Sequence, residues 1–525
     1  MNWRHYGVLF LVGLIVPFLI SRFQTMPGYM DADYYFAGGL QLAEGHGFSE
    51  PYLWNYLDDP DGLPHPSHTY WMPLASIVSA AGMWIFGQST YAAGRLPFIL
   101  LSACVPLVTA ALAYSVSRQT RLAVVSGLLS IFSLYYAPFM PVPDNYALFM
   151  LAGGTFLLIA PRAQKWIPVA MGALTGLMTL ARSDGLLWLG LAGLTVMWKS
   201  LKTEEGKSRT FRDWFISILP AGILVLVGYL AVMGFWHLRN LALFGSPLTP
   251  GGGRLFWLQN YNQTFIYPPE DLTRESFLQA GWESVLQSRL RAFIANLSNA
   301  FGAQGGIFLF PLIIMGLWKM WRELRTKIAV TGWVTLFAVM TLVFPFAGAR
   351  GSFFHAGAAF QPYWWVAAPL GLDAVISWAR RRGQFTDKHA PYFLQGVLVL
   401  LAIFLTLYLI NFRVIDSGWE QDDRIYPAVE ELFLEHGINP EDVVIVRNPP
   451  GYFIVSGRSA ISLPYGDEST ILAVAEKFGA RYLVLEQDGT FDSIQDLYDA
   501  PQSNPSFVYL GEVDEARLYR VQPAR

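Results

Sequence analysis

Residues 29–73 read YMDADYYFAGGLQLAEGHGFSEPYLWNYLDDPDGLPHPSHTYWMP. The stretch carries seven acidic residues (Asp31, Asp33, Glu44, Glu50, Asp58, Asp59 and Asp61) and neither lysine nor arginine. It also holds His46 and a close histidine pair, His65 and His68, in a proline-rich turn. One apolar run, 6–20, precedes it, and a long series of apolar runs follows. A long acidic loop early in a chain that then crosses a membrane many times reads as one wall of a site at the membrane surface.

Composition agrees. Of 525 residues, 53% are hydrophobic and only 14% charged, against about a quarter charged in a soluble domain. The net charge of −3 argues against nucleic-acid binding, which needs a basic patch. The single cysteine, Cys104, leaves no internal disulfide. The N-terminal apolar run lacks a small-residue cleavage site and reads as a signal anchor.

Runs of about 17–25 apolar residues qualify as spans. Eleven are expected, near 6–22, 92–117, 122–138, 145–160, 166–181, 185–198, 214–236, 302–318, 328–346, 361–378 and 392–411. The stretch 71–87 is assigned to a helix at the interface. With the N-terminus in the cytoplasm, the inner loops are 118–121, 162–165, 199–213, 319–327 and 380–388. These contain seven of the eight lysines, as the positive-inside rule requires. The acidic loop (external, 23–91) and the C-terminal segment then lie outside, and the chain belongs in the plasma membrane. No internal repeat is evident, which weakens a transporter of inverted repeats.

The segment after 411 changes character. Strand-like runs at 443–447, 481–486, 507–513 and 516–521 alternate with helical stretches at 469–478 and 491–498. A small α/β domain over 412–525 follows. Its turn RNPPGY (447–452) lacks the glycine spacing and the lysine of a phosphate loop. It reads as a structural or acceptor-facing appendage.

Asp31 and Asp33 fall in the first turn of a helix expected over 32–42, where the dipole favours ionised carboxylates. They are capping acids or, as a pair opening an external loop, catalytic or metal-binding groups. His65 and His68 suit metal or phosphate contact, or are exposed loop histidines. Asp144, in PVPDNYALF (141–149), caps a helix or marks a site at the mouth of a span. Arg182 and Asp184 read as a structural ion pair. Arg239 and Arg350, just past the outer ends of spans, are phosphate clamps or snorkelling interfacial residues, and His355 follows Arg350 closely.

Together the Asp31-Ala32-Asp33-Tyr34-Tyr35 run, LAEGHGF (42–48), PHPSHTYWMPL (64–74), FGQSTYAAGRLP (86–97), the Asp144 turn, TLARSDG (179–185) and LRNLALFGSP (238–247) resemble the GT-C membrane glycosyltransferases. They are most similar to the bacterial relatives of dolichyl-phosphate-mannose protein mannosyltransferase (glycosyltransferase families 39 and 83). The resemblance covers most of residues 1–411. It implies a polyprenyl-phosphate- or -diphosphate-linked sugar donor and an acidic base in the first external loop, at Asp31 by its spacing to the tyrosines, with Asp33 as the alternative. The family's Asp-Glu is Asp-Ala-Asp here, and the family's lysine beside the proline-rich block is missing. His65, His68, Arg239 or Arg350, with His355 and Asp144 beside them, would then meet the donor phosphate.

The fold expected is a polytopic α-helical membrane protein of GT-C type, 1–411, with a small extracytoplasmic α/β domain, 412–525. The expected function is inverting transfer of a hexosyl or pentosyl group from a polyprenyl-phosphate donor to an extracytoplasmic lipid, glycan or protein. A divalent cation on Asp31, Asp144, His65 and His68 is an alternative means of stabilising the leaving phosphate. A lipid or polysaccharide transporter and a non-catalytic envelope assembly protein are the competing functions.

Overall fold

The computed structural model describes residues 1–203, 211–384, 387–416, 418–420 and 424–522. Parts of the lysine-bearing loops 199–213 and 380–388 therefore lie outside the described residues. Two compact units emerge. One comprises Met1–Phe23, Arg95–Arg239 and Arg289–Ser417; the other comprises Gln24–Gly94, Asn240–Ser288 and Gly418–Arg525.

The first unit is helical among its described residues. Along the chain, Trp3–Ser21, Tyr91–Ser117, Arg212–Phe244, Leu324–Val343 and Ala390–Asp416 are long and apolar enough to cross a membrane. Every run expected to span coincides with a helix, yet several of those helices are short, for local reasons. Over 122–138 the helix Thr120–Ile131 stops, Leu134 takes a positive φ of 57°, and a 3-10 turn follows. Over 302–318 Gly306 (φ 55°) separates a π-helical turn from the helix Phe310–Lys319. Over 328–346 the helix relaxes into π geometry at Val339–Val343 and stops before Pro345, yet with that turn it keeps span length over Leu324–Val343. The 71–87 stretch forms the helix Leu74–Phe86, 13 residues long, well short of the roughly 20 that a span needs.

Small residues let these helices touch. A Cβ at Gly316 would overlap the Ala367 carbonyl, and one at Gly371 the Leu312 carbonyl. Helices Phe310–Lys319 and Gln361–Arg381 thus cross backbone to backbone, as small-residue packing in membranes allows.

The second unit is built on a sheet. In chain order its strands are β1 (Ser49–Glu50), β2 (Tyr52–Leu53), β3 (His65–Pro66), β4 (Val443–Val446), β5 (Ala460–Ser462), β6 (Ala480–Glu486), β7 (Phe507–Val513) and β8 (Ala516–Val521). Strands β1 and β3 pair with each other; the other six form one sheet, ordered β2-β5-β4-β6-β8-β7. The first four of these are parallel, and β8 and β7 are antiparallel. Parallel strands are covered on both faces, which explains the unbroken apolar run Val443–Val446. Ile445, Leu483 and Leu485 pack with Ile471, Val474 and Phe478 of the helix Glu468–Phe478. Val444, Val446, Tyr482 and Val484 pack with Tyr426, Val429 and Phe433 of the helix Ile425–Glu435.

The strands expected at 443–447, 481–486, 507–513 and 516–521 are β4, β6, β7 and β8. The helix expected at 469–478 is present, and 491–498 forms two short turns. One expectation is corrected: RNPPGY is the start of a helix, Pro449–Ser456, with Asn448 as its N-cap. The unit that contains the C-terminal segment also takes in the first loop and 240–288, and β2 of the first loop is the edge strand of its sheet, beside β5.

The acidic loop meets its cations and donors from these later segments. Lys477 Nζ lies 2.5 Å from Asp59 Oδ1. Gly251 N donates to Asp58 Oδ1 over 2.5 Å, and Arg254 donates to the Leu57 carbonyl. Burial pushes the Asp58 carboxyl up, against the hydrogen bonds from Thr69 and Gly251 and the Arg254 charge.

Candidate functional site

The helix Met30–Ala43 begins where Tyr29, in extended backbone, serves as N-cap without a side-chain capping hydrogen bond. Asp31 and Asp33 fill its first turn, as the sequence predicts. In that first turn the carboxylates sit at the positive end of the helix dipole, and the Asp33 N–H already donates to the Tyr29 carbonyl at 3.0 Å. They differ in setting: Asp31 is half-buried and Asp33 wholly buried. Asp33 Oδ2 accepts a 2.8 Å hydrogen bond from Asn448 Nδ2. Upstream, Gly28 has a φ of 82° and packs directly under Trp419, whose Nε1 donates to the Pro27 carbonyl.

Against this helix lies Leu74–Phe86, close because Gly38 and Gly39 carry no Cβ. One at Gly38 would stand 2.8 Å from Ser76 Oγ and 3.0 Å from His68 Cε1. Around this contact the two histidines are buried rather than exposed. His65 Nε2 is 3.0 Å from the Tyr52 carbonyl and 3.6 Å from Glu50 Oε2. His68 places Nε2 2.9 Å from Ser76 Oγ and Nδ1 2.7 Å from Ser67 Oγ. Its backbone φ of 59° is uncommon for a non-glycine residue. Its N–H donates to Glu50 Oε1 and to Tyr34 Oη, both at 3.0 Å. Burial, then the Glu50 carboxylate, pushes the Tyr34 phenol well above its ordinary range, so it stays a neutral donor. Glu50 is thus the hub that ties the proline-rich turn to the helix bearing the acid pair.

The other predicted residues lie mainly in the first unit. Asp144 and His355 come together: Asp144 Oδ1 lies 3.7 Å from His355 Nδ1, and Tyr146 Oη 2.7 Å from His355 Nε2. Burial and then the Arg182 charge hold the His355 imidazole well below its ordinary range. Arg182 Nη2 lies 3.1 Å from Asp184 Oδ2, the ion pair expected from their spacing. Arg239 is not past the end of its helix. Phe211–Phe244 continues through it, and its guanidinium lies 4.4 Å from the Trp236 ring centre. Arg350 is exposed, in a π-helical turn, Gly348–Ser352.

Among the described residues, no three His, Cys, Asp or Glu side chains form a group able to hold a metal ion. The cation expected on Asp31, Asp144, His65 and His68 finds no such group. Both histidines bond protein oxygens.

Sequence reasoning missed Glu50, Tyr34 and Asn448. Asn448 had a legible signal, since asparagine followed by two prolines is a helix N-cap with proline in the first helical positions.

No protein-family model matches the sequence, and comparison with curated proteins finds no match. Solved structures do match. The Archaeoglobus fulgidus oligosaccharyltransferase tethered with an acceptor peptide containing the NVT sequon aligns with a TM-score of 0.57 at 14% identity, over 100% of this chain and 74% of that one. ArnT from Cupriavidus metallidurans bound to undecaprenyl phosphate aligns with a TM-score of 0.54 at 14% identity, over 99% and 98%. The Archaeoglobus enzyme with Zn and sulfate gives 0.54 at 15%, over 95% and 71%. The chain has the GT-C fold. At such identity the likeness is one of architecture, and with the long apolar helices it makes this a membrane protein.

Proposed function

We propose that the chain is an inverting glycosyltransferase that moves a sugar from a polyprenyl-phosphate donor to an acceptor outside the cytoplasm, with Asp31 as general base. The observation that carries this is the acid pair opening the first loop's helix, on a fold aligned nearly end to end with a protein that binds undecaprenyl phosphate. Beyond the cytoplasm there is no pool of nucleotide sugar, so a donor must arrive on a membrane lipid.

In the step proposed, Asp31 takes the proton from the acceptor hydroxyl as its oxygen attacks the anomeric carbon. The bond from that carbon to the phosphate oxygen breaks, and the lipid phosphate leaves with the electron pair. General-base help of this kind contributes roughly 10²–10⁴-fold. Arg239 and Arg350 carry the charge to stabilise the leaving phosphate. Asp144, with Tyr146 and His355, is assigned to donor or acceptor binding. His65 and His68 would have to exchange their present partners for a phosphate, so we assign them to holding the loop. Eleven spans with a cytoplasmic N-terminus fit the lysine distribution. Residues 412–525 are read with the first loop as one extracytoplasmic domain.

The test uses purified full-length protein in detergent with a panel of radiolabelled polyprenyl-phosphate sugars and a cell-envelope extract. Wild type should consume a donor and transfer its sugar. Asp31→Asn should bind that donor with turnover reduced by at least about 10²-fold. Equal turnover in wild type, Asp31→Asn and Asp33→Asn would remove the first loop from the chemistry. A wild type that binds no lipid-linked sugar would favour a transporter or assembly role.

A further inference from the structure

Of the contacts between the C-terminal segment and the first loop, three bear on the acid pair. Strand β5 pairs with β2 through backbone bonds. Ile454 packs on Phe36, Met83 and Ala93. The third contact is directed and polar: Asn448 Nδ2 donates to Asp33 Oδ2 over 2.8 Å, with both residues buried. The two partners are 415 positions apart in the chain.

Asn448 is itself held on two further sides. Its Oδ1 caps the helix Pro449–Ser456 by accepting from Gly451 N at 3.3 Å. Pro449 and Pro450 have no N–H, so Gly451 is the first donor this cap can find. With Oδ1 accepting there, the amide NH₂ is turned to Asp33. The Asn448 backbone N–H donates to Tyr426 Oη at 3.2 Å, and Tyr426 Oη donates to Glu486 Oε1 at 3.0 Å. A line of hydrogen bonds therefore runs from the end of β6 to the first turn of the helix Met30–Ala43. A buried carboxylate depends on such donors, because an ionised group taken from water must be hydrogen-bonded where it ends up.

We propose that Asn448 is a positioning residue: it anchors Asp33, and through it the first turn of Met30–Ala43, so that Asp31 is presented to the acceptor. This rests on the reading of Asp31 as base. The C-terminal segment is then a part of the catalytic framework and not an appendage to it, and Asp33 is a structural carboxylate.

Three full-length variants test this. Asn448→Ser keeps a good N-cap and loses the amide donor, its hydroxyl sitting on a side chain too short to reach Asp33. Asn448→Asp keeps the cap and sets two carboxylates together. Asp33→Asn combined with Asn448→Asp exchanges the two groups and restores an amide–carboxylate bond. Amide hydrogen exchange at residues 33–37 reads the positioning without any substrate; kcat and donor KM read its catalytic effect. Asn448→Ser should speed exchange at those amides while β4 and β6 stay protected. Its kcat should fall on the order of 10²-fold, as for a small displacement of a reacting group, with donor KM unchanged. Asn448→Asp should be worse, and the exchanged pair should recover most of both readouts.

Unaltered exchange in Asn448→Ser and Asn448→Asp overturns the proposal. So does faster exchange with wild-type kcat. If the exchanged pair restores protection but not kcat, the Asp33 carboxylate itself takes part in the chemistry and the proposal falls. A wild type that turns over no lipid-linked sugar removes the catalytic reading beneath it, and the exchange data separate that failure from a failure of the contact.

Discussion

His355 is the residue whose environment has the plainest consequence for pH. Buried beside Tyr146 and facing the Arg182 charge, its imidazole stays neutral in the fold well below the ordinary value, about 6.5. The unfolded chain binds a proton there as pH drops through that value while the folded chain does not. Stability is therefore unaffected by this group above about pH 6.5 and declines as pH falls below it. The midpoint of thermal unfolding should drop between pH 7 and pH 5, and His355→Gln should flatten that slope; parallel slopes would show that the ring does not titrate this way. Arg182 and Asp184 give a second expectation, since each side chain is at most 10% exposed. Arg182→Met strands a buried carboxylate and should cost about 3–5 kcal/mol in denaturant unfolding, while adding Asp184→Leu should recover much of it. This pair was legible from TLARSDG because its partners are two residues apart. The Asp33–Asn448 bond was not, because nothing local marks two residues so distant as neighbours.

Among elements, the pair Met30–Ala43 and Leu74–Phe86 sets the geometry of the acid pair through Gly38 and Gly39. Gly38→Ala puts a methyl 2.8 Å from Ser76 Oγ, closer than atoms sit without shifting. Overpacking of this kind should destabilise by about 1–3 kcal/mol and disturb the His68–Ser76 contact, read as a lower thermal midpoint. An unchanged midpoint would mean that the two helices part freely. The acid-bearing helix and the strands β4, β6, β7 and β8 could be seen in advance, because each is long enough to show a pattern of its own. The two-residue strands β1, β2 and β3 are shorter than any period and exist only through their partners. The helix Pro449–Ser456 was hidden behind two prolines that look like a turn and in fact occupy its first positions. Five helices along the chain are long and apolar enough to cross a membrane, and elsewhere an apolar run can outlast its helix. The runs continue through Leu134 and Gly306, while the helical backbone does not.

For the whole molecule, the composition and the lysine distribution made a membrane protein evident, and ordered motifs spread over most of residues 1–411 suggested its GT-C fold. What could not be read was that the sheet begins near residue 52 and resumes only at 443. Deleting Gly418–Arg525 removes β5 from beside β2, Trp419 from over Gly28, and Asn448 from Asp33. Limited proteolysis of that truncation in detergent should cut within Gln24–Gly94, at sites protected in the full chain. A loop equally resistant in both would show that it folds without the C-terminal segment.

The seam between β2 and β5 also imposes an order in time. Tyr56 donates to the Ser462 carbonyl, 406 positions later, so the first loop leaves the ribosome long before its partner exists. At roughly 5–20 residues per second, that delay is on the order of 20–80 s. Throughout it the nascent loop has an unfinished sheet edge and a buried carboxylate still awaiting its amide. A polypeptide interrupted before residue 448 would carry the acid pair yet lack the strand and the side chain that set it. Synthesis through β5 is thus a checkpoint that the molecule applies to itself.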